Sequence, residues 1–157
     1  MADILIAPSV LSADFAAMGA AAKALEDWRA DWVHCDVMDG EFVPNITFGM
    51  PMIEALRRNT SLTLDVHLMI VKPEKYVERF VESGADIVTF HPEASDDPIG
   101  TLKTIKKAGA KCGIVLNPDI PASVAEPYLD ICDVVMLMGV FPGFGGQKFI
   151  RSVLPKL

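Results

Sequence analysis

Short apolar runs rich in β-branched residues alternate along the chain with stretches whose apolar residues recur at three- and four-residue spacing. That alternation predicts parallel βαβ units. The runs at residues 4–10, 32–38, 62–69, 87–91, 112–116 and 134–140 read as strands. Residues 15–29, 51–59, 74–83, 99–108 and 123–131 read as the helices between and after them, and a sixth helix is expected to open at Gln147 and occupy 147–157. Pro51, Pro73 and Pro121 fall at or near first helical turns, where a missing N–H costs little. Gly84 and Gly109 fall where a helix gives way to the next strand, a position that favours left-handed backbone. No Gly/Ser linker, charge block or low-complexity tract divides the chain, so residues 1–157 read as one domain.

Two architectures accommodate six such units. A closed (β/α)8 barrel needs eight strands and about 250 residues; on that reading the chain is truncated after about six βα units, with units 7 and 8 absent. An open doubly wound sheet would gather its active residues at one switch point. The polar residues with chemistry to offer sit instead at the ends of many strands, which favours the barrel.

On the second strand His34, Asp36 and Met38 alternate with Cys35 and Val37, and on the third Asp65, His67 and Met69 alternate with Val66 and Leu68. A strand's side chains point to opposite faces in turn, so each set shares one face. His34, Asp36 and His67 make a donor set suited to a divalent transition metal. A buried polar network without a metal is the competing reading, since such groups are costly to bury unpaired. Asp65 is either an acceptor that fixes the tautomer of a ligating imidazole or a core carboxylate paired elsewhere.

The segment Val140-Phe141-Pro142-Gly143-Phe144-Gly145-Gly146-Gln147 follows the sixth strand. Its glycines allow close approach of backbone N–H groups to an anion, and a helix opening at Gln147 would add its positive end; a plain tight loop is the alternative. Ser9 either points its hydroxyl into the same mouth or, like Ser12, caps the turn ahead of residue 15. Met38, Met69 and Met138 read as core filler around the mouth. His91 is either a further polar contributor or the start of a loop.

Composition narrows the partners. Fourteen Lys and Arg against 21 Asp and Glu leave a net charge of −7, which repels nucleic acid and acidic membrane surfaces on average and leaves a small molecule as the expected ligand. Cys35, Cys112 and Cys132 are odd in number and lack any CxxC spacing, so they read as reduced, small hydrophobes. Asp3 and Pro8 argue against an N-terminal export signal, and no run approaches the roughly 18 apolar residues of a membrane span. A cytoplasmic protein is the expectation, with homo-oligomerisation left open.

Four segments together resemble a known family: Ala7-Pro8-Ser9-Val10-Leu11-Ser12-Ala13-Asp14-Phe15, His34-Cys35-Asp36-Val37-Met38-Asp39-Gly40 through Phe42-Val43-Pro44-Asn45, Asp65-Val66-His67-Leu68-Met69, and Pro142-Gly143-Phe144-Gly145-Gly146-Gln147. Their order and spacing are similar to those of the ribulose-phosphate 3-epimerases. The resemblance implies a TIM barrel of the phosphate-binding type and interconversion of ribulose 5-phosphate and xylulose 5-phosphate in the pentose phosphate pathway. Allulose 6-phosphate is the substrate of a near relative. It also implies one divalent ion (zinc, iron, manganese or cobalt) on His34, Asp36 and His67, with Asp36 doubling as acid/base. Ser9 and His67 would touch the phosphorylated sugar, and Gly143, Phe144, Gly145 and Gly146 would bind its phosphate. The family's fourth ligand and second acid/base, an Asp in an Asp-Gly-Gly motif on strand seven, has no counterpart in the sequence. Gly139 and Phe141 stand where the family usually has Ser or Thr and Asn or Glu. An inactive fragment that needs a complementing partner is the reading from a different class.

Overall fold

The computed structural model describes residues 4–157; residues 1–3, with Asp3, lie outside the described residues. Five strands, β1 (Trp32–Met38), β2 (Thr63–Met69), β3 (Ile87–Phe90), β4 (Lys111–Leu116) and β5 (Val134–Leu137), form one parallel sheet in chain order. Between them run α1 (Met18–Asp27), α2 (Met50–Asn59), α3 (Val77–Glu82) and α4 (Pro98–Ala108). Pro51 and Pro98 occupy first-turn positions of α2 and α4, and Gly84 and Gly109 take positive φ where α3 and α4 end. Consecutive strands lie side by side with helices on one face, the arrangement of a (β/α) barrel wall. Among the described residues no helix is long and apolar enough to cross a membrane.

The apolar face of each helix meets the apolar face of the sheet. Ala22, Leu25, Ile53, Leu56, Val77, Phe80, Leu102 and Ile105 pack on Val33, Cys35, Leu64, Val66, Leu68, Val88, Phe90, Ile114 and Leu116 in one buried cluster. Each such aliphatic or aromatic side chain removed from water stabilises the fold by roughly 1.5–3 kcal/mol. The alternate positions, including His34, Asp36, Asp65 and His67, are thereby turned to the other, concave face. Leu5 and Ala7 line a cavity there together with Val134–Leu137, so the sheet curls until its first and last segments face one another.

Three expected elements differ. Residues 4–10 are not a strand: Ile6 and Pro8 offer carbonyls to Asp31, Trp32 and His34 of the β1 edge, and one bridge joins Ser9 to His34. Pro8 has no N–H to return, and the Ile6 N–H goes to the Asp31 carboxylate at 2.7 Å, so pairing stays one-sided. Residues 123–131 form a 3-10 turn, Ala122–Tyr128, because Pro127 within it cannot sustain an α-helix. No helix opens at Gln147. Its side-chain amide folds back to donate to the carbonyls of Phe141 and Phe144 at 2.7 and 2.8 Å, and only a 3-10 turn follows at Arg151–Lys156.

The end of the sheet away from the strands' C-termini is pinned by carboxylates. Asp31, Asp86 and Asp133, each just ahead of a strand, accept the backbone N–H of Ile6, Leu64 and Cys112 at 2.7, 2.8 and 3.0 Å. Glu26 of α1 accepts from the Thr60 hydroxyl at 2.7 Å and the Ser61 N–H at 2.8 Å, tying α1 to the approach to β2. These hydrogen bonds from Thr60 and Ser61, with another from Lys23, hold its carboxyl down at about 2 against an ordinary 4.5.

Two outcomes are expected. Gly113 in β4 leaves room for the carbonyl of Val134, into which an added Cβ would run; Gly113→Ala should destabilise by about 1–3 kcal/mol in urea unfolding. Because the folded-state pKa of Glu26 is depressed, its stabilisation is complete above pH 4.5 and disappears as pH falls towards 2. Glu26→Gln should therefore flatten the loss of stability across that window, and an unchanged slope would show that these hydrogen bonds contribute nothing.

Candidate metal and substrate site

The register of β1 on β2 sets the geometry. His34 lies opposite Asp65, Asp36 opposite His67 and Met38 opposite Met69, all on the concave face. The Asp36 carboxylate sits between two imidazoles, its Oδ1 3.3 Å from His34 Nε2 and 3.2 Å from His67 Nδ1. Its Oδ2 accepts the Ser9 hydroxyl at 2.5 Å. Ser9 also accepts the Leu11 N–H at 3.1 Å, so it both caps a 3-10 turn and reaches the mouth.

Asp65 is no longer ambiguous. Its Oδ2 lies 2.7 Å from His34 Nδ1, the other nitrogen of the same ring. With Nδ1–H on Asp65, the His34 Nε2 points at Asp36 and His67, the orientation a ligating imidazole needs. His34 Nε2, Asp36 Oδ1 and His67 Nδ1 belong to residues whose ligand atoms lie within 4.8 Å of one another. Two ring nitrogens and a carboxylate oxygen at that spacing fit a divalent transition metal. Burial opposes charge on His34, but hydrogen bonds and charges from Asp36 and Asp65 outweigh it and push the imidazole up to about 10. Burial likewise opposes charge on Asp36, and there the two imidazoles win, holding the carboxyl far below the usual range. Burial dominates at His67, which falls to about 4 despite the Asp36 hydrogen bond.

Sequence reasoning left His91 undecided and did not single out Glu93. His91 follows β3, is fully buried, and places its Nε2 3.0 Å from His67 Nε2. Glu93 Oε1 lies 3.5 Å from the His91 Nδ1 and accepts the Asn117 amide at 2.9 Å. The period-two pattern that runs from Ile87 to Thr89 extends to His91 and was the available signal; nothing in the sequence marks Glu93.

The glycine turn stands across the mouth. A cleft of about 180 Å³ runs from Ser9 and Asp36 past Met38, Met69 and Met138 to Phe141–Gly145. Gly143 and Gly146 have φ of 121° and 71°, which side-chain-bearing residues rarely adopt. Asn45 donates its amide to the Gly143 carbonyl at 2.9 Å, fastening the turn to the loop after β1. The helix end expected to reinforce the turn is missing among the described residues, which leaves the turn's own backbone N–H groups as what it offers an anion. At Gly139, the space of a Ser or Thr side chain is filled by the Phe149 ring, which accounts for the residue found there.

The family model for the ribulose-phosphate 3 epimerase family matches residues 5–157. Ribulose-phosphate 3-epimerases of Synechocystis sp. and Bacillus subtilis are 53% and 54% identical, covering 99% and 98% of this chain and 68% and 71% of their own lengths. The chloroplastic ribulose-5-phosphate-3-epimerase of Arabidopsis thaliana is 52% identical over 99% of this chain, which spans 56% of that protein. Among solved structures, a tryptophan synthase alpha-subunit variant from Pyrococcus furiosus superposes with a TM-score of 0.67 at 12% identity, over 97% of this chain and 71% of that one. That likeness speaks for the TIM-barrel fold alone. With a family match across nearly its whole length and relatives more than half identical, the chain belongs to the ribulose-phosphate 3-epimerase family.

Proposed function

We propose that residues 1–157, as one domain, carry the metal-holding and first proton-transfer half of a site that epimerises ribulose 5-phosphate and xylulose 5-phosphate at C3. The observation that carries this reading is the convergence of His34, Asp36 and His67, with Asp36 itself lining a cleft that reaches the Gly143–Gly145 turn. A divalent zinc, iron, manganese or cobalt ion on those three residues would supply Lewis acidity towards the sugar's C2 and C3 oxygens.

The chain's own residues divide the remaining work. Among the described residues Asp36 is the one carboxylate that lines the cleft, and it takes the proton α to the C2 ketone, leaving a 2,3-enediolate. Ser9 fixes the orientation of its Oδ2. Met38, Met69 and Met138 line the cleft with apolar surface, which keeps water from the reacting carbon. The Gly143–Gly146 turn receives the phosphate through backbone N–H groups, which overcome locally a net charge that would repel an anion. Inversion requires a second acid on the opposite face of C3. The family resemblance gives that role to an Asp-Gly-Gly aspartate, and these 157 residues contain no such motif.

Titration with Co²⁺ or Zn²⁺ should give one site per chain, abolished by His34→Ala or His67→Ala; binding that survives both substitutions would remove the metal reading. In D₂O with added metal, ribulose 5-phosphate or xylulose 5-phosphate should acquire deuterium at C3 on the face Asp36 serves, without net inversion. Asp36→Asn should slow that exchange by about 100-fold or more. Absence of exchange from both epimers would overturn the assignment of Asp36.

A further inference from the structure

Against His67, just past the end of β3, lies a further imidazole that the proposed chemistry does not use. His91 is completely buried, packs its ring against Phe42 at 4.8 Å, and meets His67 Nε2 to Nε2 at 3.0 Å. Its remaining nitrogen, Nδ1, has no hydrogen-bond partner, although the Glu93 carboxylate stands 3.5 Å away. A buried, unpaired ring nitrogen carries a cost and calls for an explanation.

Two proton arrangements satisfy the His67–His91 contact. If His67 carries its proton on Nδ1, that proton goes to Asp36, and His91 must donate from Nε2. His91 Nδ1 is then a bare lone pair aimed at the negative Glu93. If His67 carries its proton on Nε2, it donates to His91 Nε2, and His91 in turn presents Nδ1–H to Glu93. The second arrangement removes the lone-pair repulsion and frees the His67 Nδ1 lone pair towards the His34 and Asp36 ligand atoms. Asp36 and Glu93 thus pull the His67 tautomer in opposite directions. Asn117 holds the Glu93 oxygen concerned by a 2.9 Å hydrogen bond.

We propose that His91, with Glu93 acting through it, is a positioning residue that selects the Nε2–H tautomer of His67 and so presents Nδ1 to a cation. The proposal rests on the metal reading given above. It requires no contact between His91 and substrate.

The test is metal affinity, measured with Co²⁺ against a chromophoric chelator in the unsubstituted chain and in His91→Leu, His91→Gln and Glu93→Gln. His91→Leu should weaken binding by about 10- to 100-fold. His91→Gln, whose side-chain carbonyl can accept the His67 Nε2–H, should restore most of it. Glu93→Gln, at a half-exposed position, should weaken binding while leaving the unfolding midpoint of the metal-free protein in place. Rescue by Gln is the readout that a packing role would not give. Unaltered affinity in His91→Leu would overturn the proposal, as would equal weakening by Leu and Gln. Should His91→Leu fail to fold, unaltered affinity in Glu93→Gln would overturn it instead. Failure of the unsubstituted chain to bind Co²⁺ at all would be distinct from these results: it would remove the metal reading, and the positioning role with it.

Discussion

The Asp36 carboxylate holds two imidazoles, at 3.3 and 3.2 Å, while a serine hydroxyl occupies its second oxygen. A carboxylate this deep in the protein is tolerated only because its neighbours repay the loss of water. Those neighbours are supplied by register. His34 faces Asp65 and Asp36 faces His67 across adjacent parallel strands, and a one-residue slip of either strand would turn its pair onto the helix-covered face. The aliphatic positions between them, Cys35, Val66 and Leu68, are locked under α1, α2 and α3. The packing of the outer layer therefore fixes the chemistry of the inner one.

The acidic residues divide along the axis of the sheet. Asp31, Asp86 and Asp133 occupy equivalent places ahead of β1, β3 and β5 and tie backbone N–H groups at the end remote from the site. Asp36 and Asp65 lie further along their strands and face imidazoles. One residue type thus supports the frame at one end and the imidazole cluster nearer the other, the C-terminal side of the strands where barrel folds carry their sites. The net charge of −7 does not distinguish the two uses.

Much of this was legible in the sequence because two periods, one of about two and one of about 3.6 residues, determine which side chains share a face. They placed His34, Asp36 and His67 together and separated them from Cys35 and Val66. What the pattern could not weigh was local competition for the backbone. Residues 4–10 look like a strand by hydrophobicity, yet Pro8 has no donor. Residues 123–131 look like a helix, yet Pro127 interrupts it, and Gln147 spends its amide on the turn behind it instead of leading a helix. The roles of His91 and Glu93 were hidden for another reason: they depend on depth and on the neighbouring strand, which no single segment encodes.

The hydrogen bond from Asn45 to the Gly143 carbonyl joins positions 98 residues apart. Contacts of such long separation form late, because the intervening loop must first be shortened by other structure. Here the intervening chain contains β2 through β5, so the turn gains its anchor only after the strands between have assembled. The glycine turn is consequently held by a contact that spans β2 through β5, whereas the imidazole cluster draws on β1 and β2 alone.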